Sequence, residues 1–199
     1  MDFYYEMIEI SENMLKSTLK LNAKKMCNIL KKIHLEKIKS ENEIDNGNLK
    51  RVIIDNAYFS VRRAYDVDEI IDNEKSGVSI IFYPKDRMKP LIIMEVTLNS
   101  SARKAIEQIY KNQDYYGLKN KGYKGTYLLV GLNLNTQQTL YSCVVEECNC
   151  DLKYLTSNEY LPPKSERRSK VFNEYDVNAK RLRIDSERNT NSTDNKTNY

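Results

Sequence analysis

Apolar residues in the first part of the chain recur with the spacing of an α-helix. Met26, Leu30 and Ile33 stand at positions i, i+4 and i+7 with lysines between them, so one side of the predicted helix is apolar and the other is charged. A preceding helix, interrupted near residues 21–22, is predicted from a second apolar set that comprises Phe3, Met7, Ile10, Leu15 and Leu19.

Helical spacing returns after a polar segment. Residues 40–48 are almost entirely polar, which indicates a loop. The first 48 residues are therefore expected to form a helical segment that precedes the main domain. Residues 49–65 predict a third helix, whose apolar face comprises Ile53, Ala57, Val61 and Ala64.

The pattern changes to that of β-strands in the middle of the chain. Residues 79–83 are rich in β-branched and aromatic side chains, and turn-forming residues follow at 84–90. Residues 91–97 are almost continuously apolar, which is typical of a strand buried on both faces in the centre of a sheet. Two further strands are predicted at residues 126–132 and 139–145, after a loop at residues 117–125.

Another helix is predicted between the second and the third of these strands. Ser100 or Ser101 is a suitable N-cap, and apolar residues follow at helical spacing, namely Ala102, Ala105, Ile106 and Ile109. The order helix, strand, strand, helix, strand, strand predicts an α/β fold in which helices flank a central mixed sheet. We expect this domain to span residues 49–161.

Charge is distributed unevenly along the 199 residues. The net charge is +4, but residues 162–199 contain nine Lys/Arg against six Asp/Glu, so the first 161 residues are almost neutral. This balance does not indicate a dedicated polyanion-binding domain, although it is compatible with a local basic groove. Residues 162–199 are expected to form a disordered tail. Its basic clusters are typical of a solvated tail, a phosphate-binding arm or a nuclear-import signal: Lys164, Arg167, Arg168 and Lys170, then Lys180, Arg181 and Arg183.

Several classes of protein are not indicated. The sequence has no run of 18 apolar residues and no secretory signal pattern, so we expect an intracellular protein without a membrane partner. His34 is the only histidine, which excludes a Ser-His or Cys-His catalytic scheme with a base beside the nucleophile. The spacing of Cys143, Cys148 and Cys150, with Cys27 far away, is unlike a structural zinc site.

The ends of the two central strands carry the candidate chemistry. Mg²⁺-dependent nucleases hold the metal with carboxylates and use a further group to orient the attacking water. A common arrangement places an Asp on one strand and Glu-x-Lys on its hairpin partner. Glu95 and Thr97 are two residues apart, so both side chains point to the same face of their strand. Ser79 opens the preceding strand.

These segments resemble the PD-(D/E)XK nuclease superfamily. The resemblance rests on the Pro-Lys-Asp turn at residues 84–86, on Glu95 near the end of an aliphatic strand, and on Ala-Ile-Glu-Gln-Ile at residues 105–109. It covers about half the chain, and the most similar branch is the one often fused behind an AAA-ATPase-like domain. It implies a restriction-endonuclease-like core.

Two of the three catalytic positions differ from the pattern of that superfamily. Ser79 stands where the metal-binding Asp belongs, 16 residues before Glu95, and Thr97 stands in place of the lysine. Glu95 and Gln108 match the pattern. A serine hydroxyl is a poor Mg²⁺ ligand, and threonine carries no positive charge. The resemblance therefore implies an inactive site whose metal ligand would be Glu95 alone.

Other residues are candidates for the missing groups. Lys104 shares a helix face with Gln108 and could stand in for the lysine, but an ordinary exposed lysine is the simpler interpretation. Glu95 itself could face solvent or pair with Lys104 or Arg103. The acidic residues that could replace the Asp are also typical turn residues; they are Asp72, Glu74 and Asp86.

Three functions remain open from the sequence. The leading interpretation is an inactive nuclease-like domain that binds DNA, RNA or another protein and needs no cofactor. An active nuclease with relocated catalytic residues, which would use Mg²⁺, is the first alternative. The second is a protein-interaction module that has no nucleic-acid role. A basic groove over Glu95 would favour the first two functions, and an apolar patch there would favour the third.

Overall fold

A computed structural model of the protein describes residues 3–37, 49–70, 77–112, 123–149 and 151–168. The chain divides into one unit of Met1–Leu161 and another of Pro162–Tyr199. In the first unit a six-stranded mixed sheet carries helices against both faces, so the predicted α/β class is confirmed. Some predicted features lie outside the described residues: the loop at 40–48, Asp72, Glu74, most of the loop at 117–125, Cys150 and the tail beyond residue 168.

The helices and strands follow one another in a simple order. The helical elements of the first unit are α1 (Phe3–Leu19), α2 (Ala23–Lys37), a π-helix (Arg51–Ala57), a 3₁₀ turn (Val61–Arg63) and α3 (Ala102–Lys111). The strands are β1 (Tyr65–Ile70), β2 (Gly77–Pro84), β3 (Leu91–Leu98), β4 (Tyr127–Asn135), β5 (Leu140–Cys148) and β6 (Tyr154–Tyr160). In the second unit a short α4 spans Lys164–Arg168.

The strands lie in the sheet in the same order as in the chain. Neighbouring strands are antiparallel except β3 and β4, which are parallel because α3 returns the chain across one face of the sheet. The predicted strands at residues 79–83 and 91–97 correspond to β2 and β3, and their expected antiparallel pairing is confirmed. The predicted strands at residues 126–132 and 139–145 correspond to β4 and β5.

The two faces of the sheet bury different sets of side chains. Ile80, Met94 and Val96 face the layer formed by α1, α2 and the π-helix. Ile81 and Ile93 face α3 on the other side. Because side chains alternate along a strand, the odd-numbered residues of β2 and β3 all point to the α3 face, and the candidate catalytic positions are among them.

Helix α3 packs very closely against β4. Ser101 is its N-cap, since the Ser101 Oγ accepts a hydrogen bond of 3.2 Å from the Lys104 amide. A Cβ on Gly131 would lie 2.2 Å from the carbonyl oxygen of Ala102, a distance that no side chain tolerates. The glycine in β4 therefore lets the first turn of α3 contact the backbone of the sheet.

The predicted helix at residues 49–65 is wrong in its second half. The Tyr58 amide donates a 2.8 Å hydrogen bond to the Ile53 carbonyl, the i to i+5 spacing of a π-helix, and the α-helical register does not continue. A turn and a 3₁₀ segment follow, and Tyr65 begins β1, where it pairs with Pro84. Apolar and acidic residues alternate along β1, where Tyr65 and Val67 are apolar and Asp66 and Asp68 are acidic. This alternation is typical of a half-buried strand.

Strand β6 was not predicted. It forms an edge of the sheet, pairs only with β5, and is largely exposed along its length. Tyr154 and Leu155 remain 57% and 54% exposed. Among the described residues, no helix is long and apolar enough to span a membrane.

Candidate functional site

Ser79 and Glu95 face each other across β2 and β3. They are direct partners in the antiparallel register, and the Ser79 hydroxyl donates a hydrogen bond to Oε2 of Glu95. Glu95 is only 2% exposed, so the alternative interpretation of a solvent-facing carboxylate is wrong. On its other side the register partner of Glu95 is Gly131 in β4.

Thr97 lies next to this pair but bonds in another direction. Its hydroxyl is 3.3 Å from both the Leu132 carbonyl oxygen and Oδ1 of Asn133, and it is 4% exposed. The same Asn133 oxygen accepts a 2.8 Å hydrogen bond from the Ser100 amide. Thr97 and Asn133 therefore connect the end of β3 to β4 and to the turn before α3. Asn133 was not predicted to belong to the site, although a polar residue in an otherwise apolar strand is a recognisable signal.

The two candidate residues of α3 share one side of the helix. Arg103 and Tyr110 lie on a different side, where they bond to residues of β5 and β6. Gln108 is half-buried and Lys104 is exposed. Among the described residues, Lys104 forms no ion pair.

Arg103 is engaged in a separate polar cluster. Its Nη1 lies 3.1 Å from Oε1 of Glu146 and its Nη2 lies 2.8 Å from Oε2 of Glu159. The Tyr110 hydroxyl donates a 3.0 Å hydrogen bond to the second oxygen of Glu146, which is 6% exposed. The hydrogen bond with Glu159 raises the pKa of the Arg103 guanidinium. Arg103 thus compensates acidic residues of β5 and β6, and the alternative in which it pairs with Glu95 is wrong.

Neither Asp86 nor Asp68 lies close enough to Glu95 to complete a metal site with it. Asp86 lies in the turn at the opposite end of β3, where its Oδ1 accepts a 3.0 Å hydrogen bond from the Met88 amide. Asp68 points to the same face but stands two strands across and two residues along, which is roughly 12 Å from strand spacings. In the described part of the chain, no three His, Cys, Asp or Glu residues are grouped to hold a metal.

The donor set around Glu95 does not fit Mg²⁺. Mg²⁺ requires near-octahedral oxygen coordination and is usually held by at least one or two carboxylates together with substrate phosphate. Here one carboxylate accepts a hydrogen bond from a serine, and Thr97 is directed to β4. The exposed residues of β1 on this face are acidic: Asp68 stands opposite Ile81, and Asp66 stands opposite Tyr83, farther from Ser79. The described part of β1 therefore adds negative rather than positive charge to this face, which does not favour phosphate binding.

Other reactive side chains are used structurally. The Nδ1 of His34 lies 2.9 Å from the Tyr141 hydroxyl in the core between α2 and β5. Cys27, Cys143 and Cys148 are free, buried thiols, and burial raises the pKa of the Cys143 and Cys148 thiols. A buried thiol with a raised pKa is a poor nucleophile.

Compared with protein-family models and with curated proteins, the chain matches none. Its function therefore has to be inferred from the residues themselves.

Proposed function

We propose that this protein is a catalytically inactive nuclease-like domain that acts by binding nucleic acid. The proposal is supported by the β2–β3 hairpin followed by α3, with Ser79, Glu95 and Thr97 near the same end of one face. In the PD-(D/E)XK superfamily, which the sequence resembles, the equivalent positions carry the Asp, Glu and Lys.

The observation that carries the inactive state is the bond between Ser79 and Glu95. A working site directs its carboxylates to a metal ion, and the lysine stabilises negative charge near the attacking water. Here the Glu95 carboxylate accepts a hydrogen bond from Ser79, a neutral side chain at the position that the resemblance assigns to the metal-binding Asp. The Thr97 hydroxyl is directed to the backbone and the amide of β4. Neither substitution leaves a group that performs the lost role.

A cleavage assay tests this proposal. Labelled single-stranded and double-stranded DNA and RNA are incubated with the wild type and with Glu95→Ala, in Mg²⁺ or Mn²⁺. We expect both proteins to leave the substrates intact, because one carboxylate does not assemble the metal site. Metal-dependent cleavage by the wild type that Glu95→Ala abolishes would show an active nuclease and reject the proposal.

A protein-interaction module is a second candidate, favoured by β6. This edge strand exposes Tyr154 and Leu155, and no strand of the described residues pairs with its outer backbone groups, where an added strand would bind. If β6 pairs with a second copy, light scattering should give a dimer for the wild type and a monomer for Leu155→Lys. A monomeric wild type would reject self-association through this edge.

A further inference from the structure

A groove lies at the end of the sheet opposite to Glu95, where β2 turns into β3. It encloses about 920 Å³, and its walls include Tyr83, Arg87, Leu91, Tyr123 and Lys124. Leu91 precedes Glu95 by four residues of extended strand, which corresponds to roughly 13 Å. The groove is therefore separate from the nuclease-like site.

One wall of the groove is an aromatic ring held in a defined position. The Tyr123 hydroxyl donates a hydrogen bond to the Lys89 carbonyl, and the Tyr123 ring packs edge-on against Tyr127 with 5.4 Å between the ring centroids. A Cβ on Gly125 would lie 2.4 Å from the Tyr123 hydroxyl, so the glycine leaves the space that this ring occupies. Tyr83 supplies a second tyrosine to the lining.

The lining of the groove is positively charged. Arg87 and Lys124 are exposed and form no ion pair within the described residues. Among the described residues the lining contains no carboxylate; the neighbouring Asp86 caps its own turn through the Met88 amide. Asp66, the register partner of Tyr83, pairs with Lys85 at 3.5 Å, so Arg87 and Lys124 still favour an anionic ligand, because binding compensates them and releases counterions.

We propose that this groove binds single-stranded nucleic acid. A base stacks on the Tyr123 and Tyr83 side, and the backbone phosphates contact Arg87 and Lys124. Aromatic side chains bind bases that are free of a duplex, whereas paired bases are already stacked on each other. An acidic peptide would satisfy the two cations but supplies no flat ring to stack on Tyr123. This inference deepens the proposed binding function and holds whether or not the Glu95 site cleaves.

Fluorescence anisotropy tests the charged contacts. The probes are labelled thymidine and uridine oligomers of about 12 nucleotides, with a duplex of the same length and polyglutamate as competitors. We expect Arg87→Ala with Lys124→Ala to weaken binding roughly tenfold or more and to lower the slope of log K against log salt by about 0.7 per lost contact. The matched control is Lys24→Ala with Lys25→Ala, two exposed lysines of α2, which should leave affinity and slope unchanged.

Two substitutions of Tyr123 test the stacking without changing charge. Tyr123→Phe keeps the ring and should retain affinity within about twofold, whereas Tyr123→Leu should lose about five- to a hundredfold, the usual effect of removing one stacked base contact. Tyr5→Leu, at an exposed tyrosine of α1, is the control. Thermal melting of each variant separates lost contacts from lost folding.

The outcomes separate this inference from the proposed inactive site. Tight binding of single strands that the groove variants weaken and the controls do not would support it. No binding at low salt, equal competition by duplex or polyglutamate, or equal effects of the Arg87 and Lys24 variants would overturn it. Glu95-dependent cleavage with intact groove binding would reject the inactive site alone.

Discussion

Ser79 and Glu95 form a direct cross-strand pair in which a hydroxyl donates to a buried carboxylate. The same two positions would hold two opposed carboxylates if residue 79 were an aspartate. The side chain at position 79 therefore determines whether residues 79 and 95 form a hydrogen-bonded pair or two carboxylates that need a cation between them.

Ser79→Asp should make the stability of the protein depend on divalent metal. Two carboxylates at directly opposite positions repel each other, so we expect a loss on the order of 1 kcal/mol in EDTA. Mg²⁺ or Mn²⁺ should restore the melting temperature of this variant and leave the wild type unchanged. Ser79→Asp with Glu95→Ala is the control, because it lacks the second carboxylate and should show no metal response. A metal-dependent shift in the wild type would contradict the account of Glu95 given above.

Tyr65→Phe should stabilise the protein, whereas Tyr58→Phe should destabilise it. Both rings are fully buried. Among the described residues the Tyr65 hydroxyl has no hydrogen-bond partner, and removing an unsatisfied buried group should gain about 1 kcal/mol. The Tyr58 hydroxyl lies 2.6 Å from Oγ1 of Thr18, so its removal should cost about 1 kcal/mol. Urea unfolding of both variants measures the change in the free energy of unfolding. Changes in the same direction for the two variants would contradict this prediction.

The stability of the wild type should fall above about pH 10. Burial raises the pKa of Tyr65 to about 12, against about 10 in the unfolded chain. The neutral phenol therefore stabilises the fold fully below pH 10, and this contribution is lost as pH rises to about 12, because the unfolded state releases its proton first. Burial raises the pKa of Tyr58 and Tyr141 in the same direction.

Tyr65→Phe isolates one part of this pH dependence. Between about pH 10 and 12 its free energy of unfolding should decline less steeply than that of the wild type, by up to about 1.4 kcal/mol per pH unit. Urea midpoints across this range give the comparison. Identical slopes for the two proteins would mean that Tyr65 does not ionise differently in the folded state.

Gly131→Ala should be clearly destabilising. The new Cβ would meet the Ala102 carbonyl at 2.2 Å, and this backbone atom moves only if the first turn of α3 leaves the sheet. Overpacking of this kind costs about 1–3 kcal/mol. Gly125→Ala is the control, because its Cβ meets only the far end of the Tyr123 side chain, whose displacement costs the bond to Lys89 but moves no backbone. The larger loss of melting temperature is expected for Gly131→Ala.

Arg103→Ala should destabilise the protein more than Lys104→Ala. The first change leaves the buried Glu146 carboxylate without its cation. We expect a loss of about 1–2 kcal/mol, which is less than for a fully buried pair because solvent screens the 48% exposed Arg103 side chain. Lys104 forms no ion pair in the described part of the chain, so its loss should stay within about 0.5 kcal/mol. Chemical denaturation of both variants should show this order, and similar losses would contradict it.

The central strands were predictable because their almost continuous apolar residues indicate burial on both faces. Residues 91–94 are apolar on both faces, and β3 is buried on both faces. Strand β6 was not predictable in this way. Thr156, Ser157 and Asn158 lie at an exposed edge, so their sequence shows no apolar pattern that packing against a core would require. Strand β1 was also not predicted, because Val61 and Ala64 continue the helical spacing of Ala57 beyond the end of the π-helix.

The composition of the candidate site was predictable, but its bonding was not. The period of two along β3 correctly put Glu95 and Thr97 on one face. Sequence spacing does not tell which residue of β4 stands beside each of them. The bond from Thr97 to Asn133 depends on the parallel register that α3 sets, and the burial of Glu95 depends on tertiary packing as well.

The alternation of side chains across β3 restricts which length changes the gene can tolerate. Deleting one residue within β3 would shift its pairing by one position and turn Glu95 and Thr97 towards the apolar layer of α1 and α2. Met94 and Val96 would then face α3. Insertions in the exposed turn at residues 85–88 leave both faces unchanged. Homologous chains should therefore vary in length at this turn and keep β3 at a constant length.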